Sequence, residues 1–113
     1  MIFPTPGTPV RGSETGKPVM ALLDLLGRRM CLRILWELRE TNLKFRALQA
    51  AAATNPSVLN TRLGELREAG LVERTSDGYQ LTEAGLNLAG LLLPLHAWSE
   101  AWAADMPRPK SKA

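Results

Sequence analysis

The sequence is poor in the residues that build reactive centres. It holds one cysteine and one histidine in 113 residues. A single cysteine excludes an internal disulfide and a multi-cysteine zinc site. With His96 as the one other soft ligand, no metal site is expected. There is no glycine-rich phosphate loop and no nucleophile paired with a base, and His96 sits in a hydrophobic run. No catalytic residue and no cofactor are therefore expected, and an enzyme is the weakest class of function. The apolar runs fall far short of the roughly 18 residues that a membrane span needs, so no membrane partner is expected. The opening "MIFPTPGTPVRGSETGK" has no basic start followed by an apolar block. It is unlike a secretory signal, and a cytoplasmic protein is expected.

Excess charge is also scarce once it is located. The formal net charge is +3, but Arg108, Lys110 and Lys112 lie in an acid-free tail. Between Lys17 and Asp105 there are ten basic and ten acidic residues. A nucleic-acid partner must be argued from the arrangement of charge, because the sum gives little support. The tail reads as a solubilising end or, alternatively, as a DNA arm.

What is present is one domain's worth of ordinary globular sequence, 45% hydrophobic and 22% charged. Residues 1–16 are rich in Pro, Gly, Ser and Thr and read as a disordered arm. Residues 17–105 read as the folded domain, and 106–113 as a disordered basic tail. Pro18 suits a first helical turn, and "PVMALLDLL" reads as a helix ending at Gly27. "RRMCLRILWELRE" reads as a second helix, with Cys31, Leu35 and Leu38 on one face extended by Leu32 and Trp36. "TNLKF" breaks the pattern as a short strand or turn. "FRALQAAAA" is a third helix with Phe45, Leu48 and Ala52 as its buried stripe.

Asn55 is a good N-cap and Pro56 a good first residue for a fourth helix, stopped by Gly70. "LVER" and "YQL" read as strands joined at Asp77-Gly78, a hairpin signal. Thr82 caps a last helix running to about Ala104. The expected class is mainly α with a small antiparallel β-hairpin, in the order of a winged helix-turn-helix.

On the fourth helix, Leu59, Leu63 and Leu66 fall within about 60° of one another at 3.6 residues per turn. The opposite face carries Ser57, Thr61, Gly64 and Glu68, with Asn60 near it. Its N-terminal half is uncharged, short and rich in hydrogen-bonding groups. Recognition helices present such residues to base edges, and asparagine can bond adenine in bidentate fashion. The plain alternative is a solvated face low in charge. Arg62 flanks the stripe, as a phosphate clamp or as the partner of an acid at the core edge. Lys44 and Arg46 open the third helix, as backbone contacts or as solvated charge. Arg74 or Tyr79 reaches phosphate from the wing, unless Tyr79 packs on the last helix. Arg28 and Arg29 open the second helix against its dipole, which points to an external anion or acidic partner.

The resemblance these residues carry is specific. "KPVMALLDLLGRRMCLRIL", "FRALQAAAATNPSVLNTRLGELREAGLVERT" and "YQLTEAGLNL" resemble the HxlR-type family of bacterial winged-helix regulators over about residues 17–103. "LNTRLGELREAGLVER" is also similar to the broader MarR-like group. The resemblance implies a homodimer that binds double-stranded DNA at an inverted repeat and regulates transcription, often as a repressor. It places the dimer interface on the first and last helices: Leu22, then Leu91, Leu92, Leu95, Trp98 and Trp102. That agrees with a last helix too apolar for one small core, in which Pro94 should kink the axis or interrupt one hydrogen bond.

Three departures stand out. Lys17 replaces the family's cysteine before Pro18, which leaves Cys31, read as an inert core residue rather than a redox switch. The wing is short. The segment before the recognition helix is alanine-rich and one residue shorter than the pattern. His96 is read as packed or hydrogen-bonded at the dimer interface, with pH sensing as the alternative. Two rival functions stand beside the DNA reader. One is a winged helix that binds protein without specific DNA binding. The other is a regulator with a small-molecule effector in a pocket left by Ala21, Ala89 and Gly90.

Overall fold

A computed structural model of the chain describes residues 17–107. The sequence readings on 1–16 and 108–113 lie outside the described residues. The element order is α1 (Pro18–Leu26), α2 (Cys31–Glu37), α3 (Phe45–Ala52), α4 (Pro56–Glu68), β1 (Val72–Thr75), β2 (Gly78–Leu81) and α5 (Glu83–Asp105). This is a winged helix-turn-helix: two helices, the α3–turn–α4 pair, a two-stranded antiparallel wing and a long last helix.

The core forms where the apolar faces of α2, α3 and α4 meet. Cys31, Ile34, Leu35, Leu48, Leu59, Leu63 and Leu66 are its fully buried side chains. Val72, Tyr79 and Leu81 close it from the wing, and Ala89 from α5. The α4 stripe is as read from the sequence. The α2 face differs: Ile34 is inside, while Leu32 is exposed.

That difference has a local cause. The expected helix over 28–40 shrinks to seven residues, because Met30 adopts a left-handed backbone (φ 72°) and bars the helix from starting earlier. A non-glycine residue takes that conformation at a cost of about 1 kcal/mol, which tertiary packing must offset; Met30 packs against the core. Arg28 and Arg29 thus lie in the α1–α2 turn and not in a first helical turn. The anion that their placement pointed to is internal, at least for Arg28, whose guanidinium meets Asp24 and Glu65. At the other end, the Arg39 guanidinium donates to the Trp36 carbonyl at 2.8 Å and lies 3.9 Å over the Trp36 ring. This supplies a partner to an end-of-helix carbonyl.

The helix-turn-helix turn is set by its own residues. Ala53 (φ 54°) ends α3, and Asn55 caps α4 by accepting the Val58 N–H at 2.8 Å. Past Glu68 the Leu71 N–H returns to the Leu66 carbonyl at 2.9 Å and the Gly70 N–H to Arg67 at 3.0 Å, with Gly70 at φ 77°. This is the double bond of a Schellman stop.

The hairpin pairs Val72 with Leu81 through to Thr75 with Gly78, so the two turn residues are Ser76 and Asp77, and Gly78 opens β2. "TNLKF" contributes a bridge: Leu43 and Tyr79 exchange N–H···O bonds of 3.0 and 2.8 Å. Gly78 makes the approach possible, since a Cβ there would fall 2.5 Å from the Leu43 carbonyl oxygen. Thr82 caps α5 by accepting the Gly85 N–H at 3.1 Å and also donates to the Gly70 carbonyl.

Candidate nucleic-acid interface

The outer face of α4 is built by its inner one. Burying Leu59, Leu63 and Leu66 leaves Ser57, Asn60, Thr61 and Gly64 exposed together on the first three turns. Thr61 Oγ1 donates to the Ser57 carbonyl at 3.0 Å, which fixes its rotamer while leaving its lone pairs outward. Among the described residues, the side chains of Ser57 and Asn60 are not spent on internal hydrogen bonds. Nothing lies within 4 Å of a Cβ built on Gly64, so a neighbour can approach the backbone closely there.

The basic residues divide. Lys44 is the exposed N-cap of α3, and Arg46 is exposed in its first turn. Arg46 joins Gln49, Ala50, Ala53, Thr54 and Pro56 around a shallow cleft of about 520 Å³ at the α3–α4 turn. The Thr54 hydroxyl, in that cleft's wall, is buried with no hydrogen-bond partner among the described residues. Arg74 is exposed on β1, its guanidinium 6.0 Å from the Tyr79 ring centre. Arg62 is not on the open face. Its Nε donates to the Arg29 carbonyl at 2.9 Å and its Nη1 to Glu65, with only 13% of the side chain exposed. Of the two sequence readings for Arg62, pairing with an acid is the one observed.

Tyr79 is corrected as a phosphate contact. It is buried, with its ring 6.5 Å from that of Phe45, so the wing's outward donor is Arg74. Cys31 is fully buried, and burial pushes its thiol up to about 11; Arg62 and Arg28 oppose that rise and Glu65 adds to it. A thiol in that state is a poor nucleophile at neutral pH.

A second surface is apolar. α5 runs about 34 Å at 1.5 Å per residue, and only its start is packed. Gly85 and Ala89 are buried and Leu88 and Leu92 partly so, whereas Leu91, Leu95, Trp98 and Trp102 are all more than half exposed. The Trp98 and Trp102 rings stack at 6.0 Å and 13°. Leu22 on α1 is half-buried. His96 is exposed, with its ring 5.2 Å from Trp36 and Nε2 3.5 Å from Glu100. Ala21 and Ala89 fill the core and leave no space there, and Gly90 is exposed. The apolar cleft lies elsewhere, about 430 Å³ between α2 and α5, lined by Leu32, Trp36, Leu92, Leu95 and His96 among others.

Among the described residues, no helix is long and apolar enough to cross a membrane, and no three His, Cys, Asp or Glu side chains gather as a metal site.

The Glu65 pairing was missed from sequence. Arg28 and Glu65 are 37 positions apart and no periodicity links them. The available signals were the Arg62–Glu65 spacing of three and the Asp24–Arg28 spacing of four.

Comparison with known proteins follows the same outline. The family model for the N-terminal domain of the methanogenesis regulatory protein FilR1 matches residues 20–94. No curated protein matches the chain in sequence. Among solved structures, the chain is 27% identical to quinone-bound YodB from B. subtilis, with TM-score 0.69 over 74% of this chain and 96% of that one. It is also 27% identical to the transcriptional repressor BigR from Xylella fastidiosa, with TM-score 0.62 over 80% and 89%.

Proposed function

The chain belongs to the family of the FilR1 N-terminal regulatory domain, and on that premise we propose that it is a sequence-specific DNA-binding transcriptional regulator acting as a homodimer. The observation that carries the reading is the face of α4: Ser57, Asn60, Thr61 and Gly64 are exposed, small and uncharged over a fully buried leucine stripe. In this reading Asn60 and Thr61 meet base edges, and Ser57 with the α4 amides meets phosphate. Lys44, Arg46 and Arg74 hold the backbone on either side. Arg62 acts from within, as a brace for the helix.

Dimerisation uses α5 with α1. Leu91, Leu95, Trp98 and Trp102 form an exposed apolar strip that a symmetric copy would bury, with Leu22 and Leu92 at its edge. Two copies of α4 then face an inverted repeat. Repression is the outcome we favour, supported by the likeness to a transcriptional repressor. Placement in the HxlR type is supported by the motifs from Lys17 to Gly85, and action in the cytoplasm follows from binding DNA. A small apolar effector, if one acts, would find its apolar lining in the cleft between α2 and α5.

Selection of duplexes from a randomised library near physiological salt tests this. An enriched inverted repeat, with half-sites about one helical turn apart, is the expected result. One observation favours a second reading, a winged helix that binds protein: Arg28 and Arg62 spend their charge internally, which leaves a weakly basic surface. Absence of enrichment together with flat salt dependence would select that reading.

A further inference from the structure

We propose that Glu65 is a positioning residue that fixes the pose of α4 on the α1–α2 turn, and so couples the outer face of α4 to α1. The functional consequence rests on the DNA-reading proposal; the coupling itself does not.

The Glu65 carboxylate is gripped from two elements. Its Oε2 accepts from Arg28 Nη1, in the turn, and its Oε1 from Arg62 Nη1, one helical turn earlier on α4. Arg28 also lies 3.5 Å from the Asp24 carboxylate on α1. Arg62 adds a second tie, from Nε to the Arg29 carbonyl at 2.9 Å. The chain of contacts therefore runs from α1 through the turn to α4. The turn itself is held by the left-handed Met30.

Geometry gives this network work that the leucine stripe does not do. Burial of Leu59, Leu63 and Leu66 sets which face of α4 is outward, but apolar contact is non-directional and leaves small rolls and transient loosening of α4 against the α1–α2 turn weakly opposed. A guanidinium–carboxylate contact is directional. The Arg28, Glu65 and Arg62 side chains are only 12–13% exposed, which protects the contacts from salt. One residue step on a helix is about 100°, and the buried stripe forbids a roll that large. Even a fraction of that would displace Asn60 from a base edge.

The test uses Arg28→Gln in the full chain, because Arg28 lies outside α4. Amide hydrogen exchange is followed residue by residue. The expected result is a loss of protection of about tenfold or more at Asn60, Thr61 and Gly64, while Leu48 to Ala52 in α3 keep theirs. Change confined to the neighbours of Asp24 and Glu65 would overturn the coupling. Glu65→Gln, which keeps the shape and removes the charge, is measured in parallel. Equal loss of protection in α3 and α4 in both variants would assign the network to global stability and likewise overturn it. On the selected duplex, Arg28→Gln should lower discrimination against random sequence about tenfold with the salt slope unchanged. A salt slope reduced by about one would make Arg28 a phosphate contact and overturn positioning. If the unmodified protein selects no site, exchange alone decides the coupling, and it is the DNA-reading proposal that fails.

Discussion

Helices α4 and α5 both leave a face open, and the two faces are opposite in chemistry. On α4 the open residues are Ser57, Asn60, Thr61 and Gly64; on α5 they are Leu91, Leu95, Trp98 and Trp102. On the proposed function each face meets a partner. A solvated helix is usually charged on its outer face, and large apolar side chains left in a continuous strip signal a partner. In the proposed reading the contrast separates two kinds of partner within one small fold. Short polar groups suit a surface that must be read by hydrogen bonds, where each bond is directional and carries information. Leucine and tryptophan suit a surface that must only be held, where buried area is what counts.

The largest effect should come from breaking the apolar member of the pair. Leu95→Glu with Trp98→Glu places charge where the proposed partner helix packs. Sedimentation at micromolar protein should change from dimer to monomer, a weakening of a hundredfold or more, with far-UV circular dichroism retained. A dimer that survives both changes would remove α5 from the interface. Duplex affinity should fall with the dimer, because two half-sites are no longer engaged together.

Changes on α4 come next. Asn60→Ala and Thr61→Ala should each relax discrimination at one position of the half-site by about 1–3 kcal/mol, measured as the ratio of cognate to mutated duplex affinity. The melting temperature should barely move, because both side chains are exposed. Lys44→Ala and Arg74→Ala sharpen the same comparison. They should weaken all duplexes alike and lower the salt slope by about one each, leaving sequence preference intact.

The smallest effect belongs to a core residue that is part of neither face. Cys31 has its pKa raised from 9.0 to about 11 by burial. A raised pKa means the fold favours the neutral thiol, so this contribution is complete below about pH 9 and is lost as pH climbs through about 11. Denaturant midpoints should fall across that window, and the Cys31→Ala protein should lack this part of the fall. Native protein at pH 7 should react with a thiol reagent at least a hundredfold more slowly than unfolded protein. Rapid native labelling would instead revive Cys31 as a redox sensor.

Much of the fold was legible because its signals are local. Asn55-Pro56 as cap and first residue, Gly70 as stop, Thr82 as cap, and the Leu59/Leu63/Leu66 stripe each need only a few neighbouring residues to be read. The exposed face of α4 follows from that stripe by helical geometry. The failures share a different character. Met30 turns left-handed, which no local preference of methionine foretells, and it removes Arg28 and Arg29 from a helix that the periodicity alone would have continued through. Tyr79 was read as a wing contact or as packed inward, and on β2 it shares the buried face with Leu81. The effector pocket was sought at Ala21, Ala89 and Gly90; the first two are buried in the core and Gly90 faces solvent, and an apolar cleft lies instead beside Trp36 and His96.

The sequence by itself determined the order of elements, the winged-helix plan, the buried stripe of α4 and the surplus of apolar residues on α5. Capping, turn chemistry and periodicity act within a few residues, so they are written in the chain directly. Only the tertiary structure decided where the charges go. It took Arg28 and Arg62 from the solvent-facing set and closed them on Glu65, leaving Lys44, Arg46 and Arg74 outward. The Arg62–Glu65 pair is three positions apart on one helix, but the Arg28–Glu65 pair spans 37 residues and depends on how the α1–α2 turn meets α4, of which a short-range pattern carries no trace.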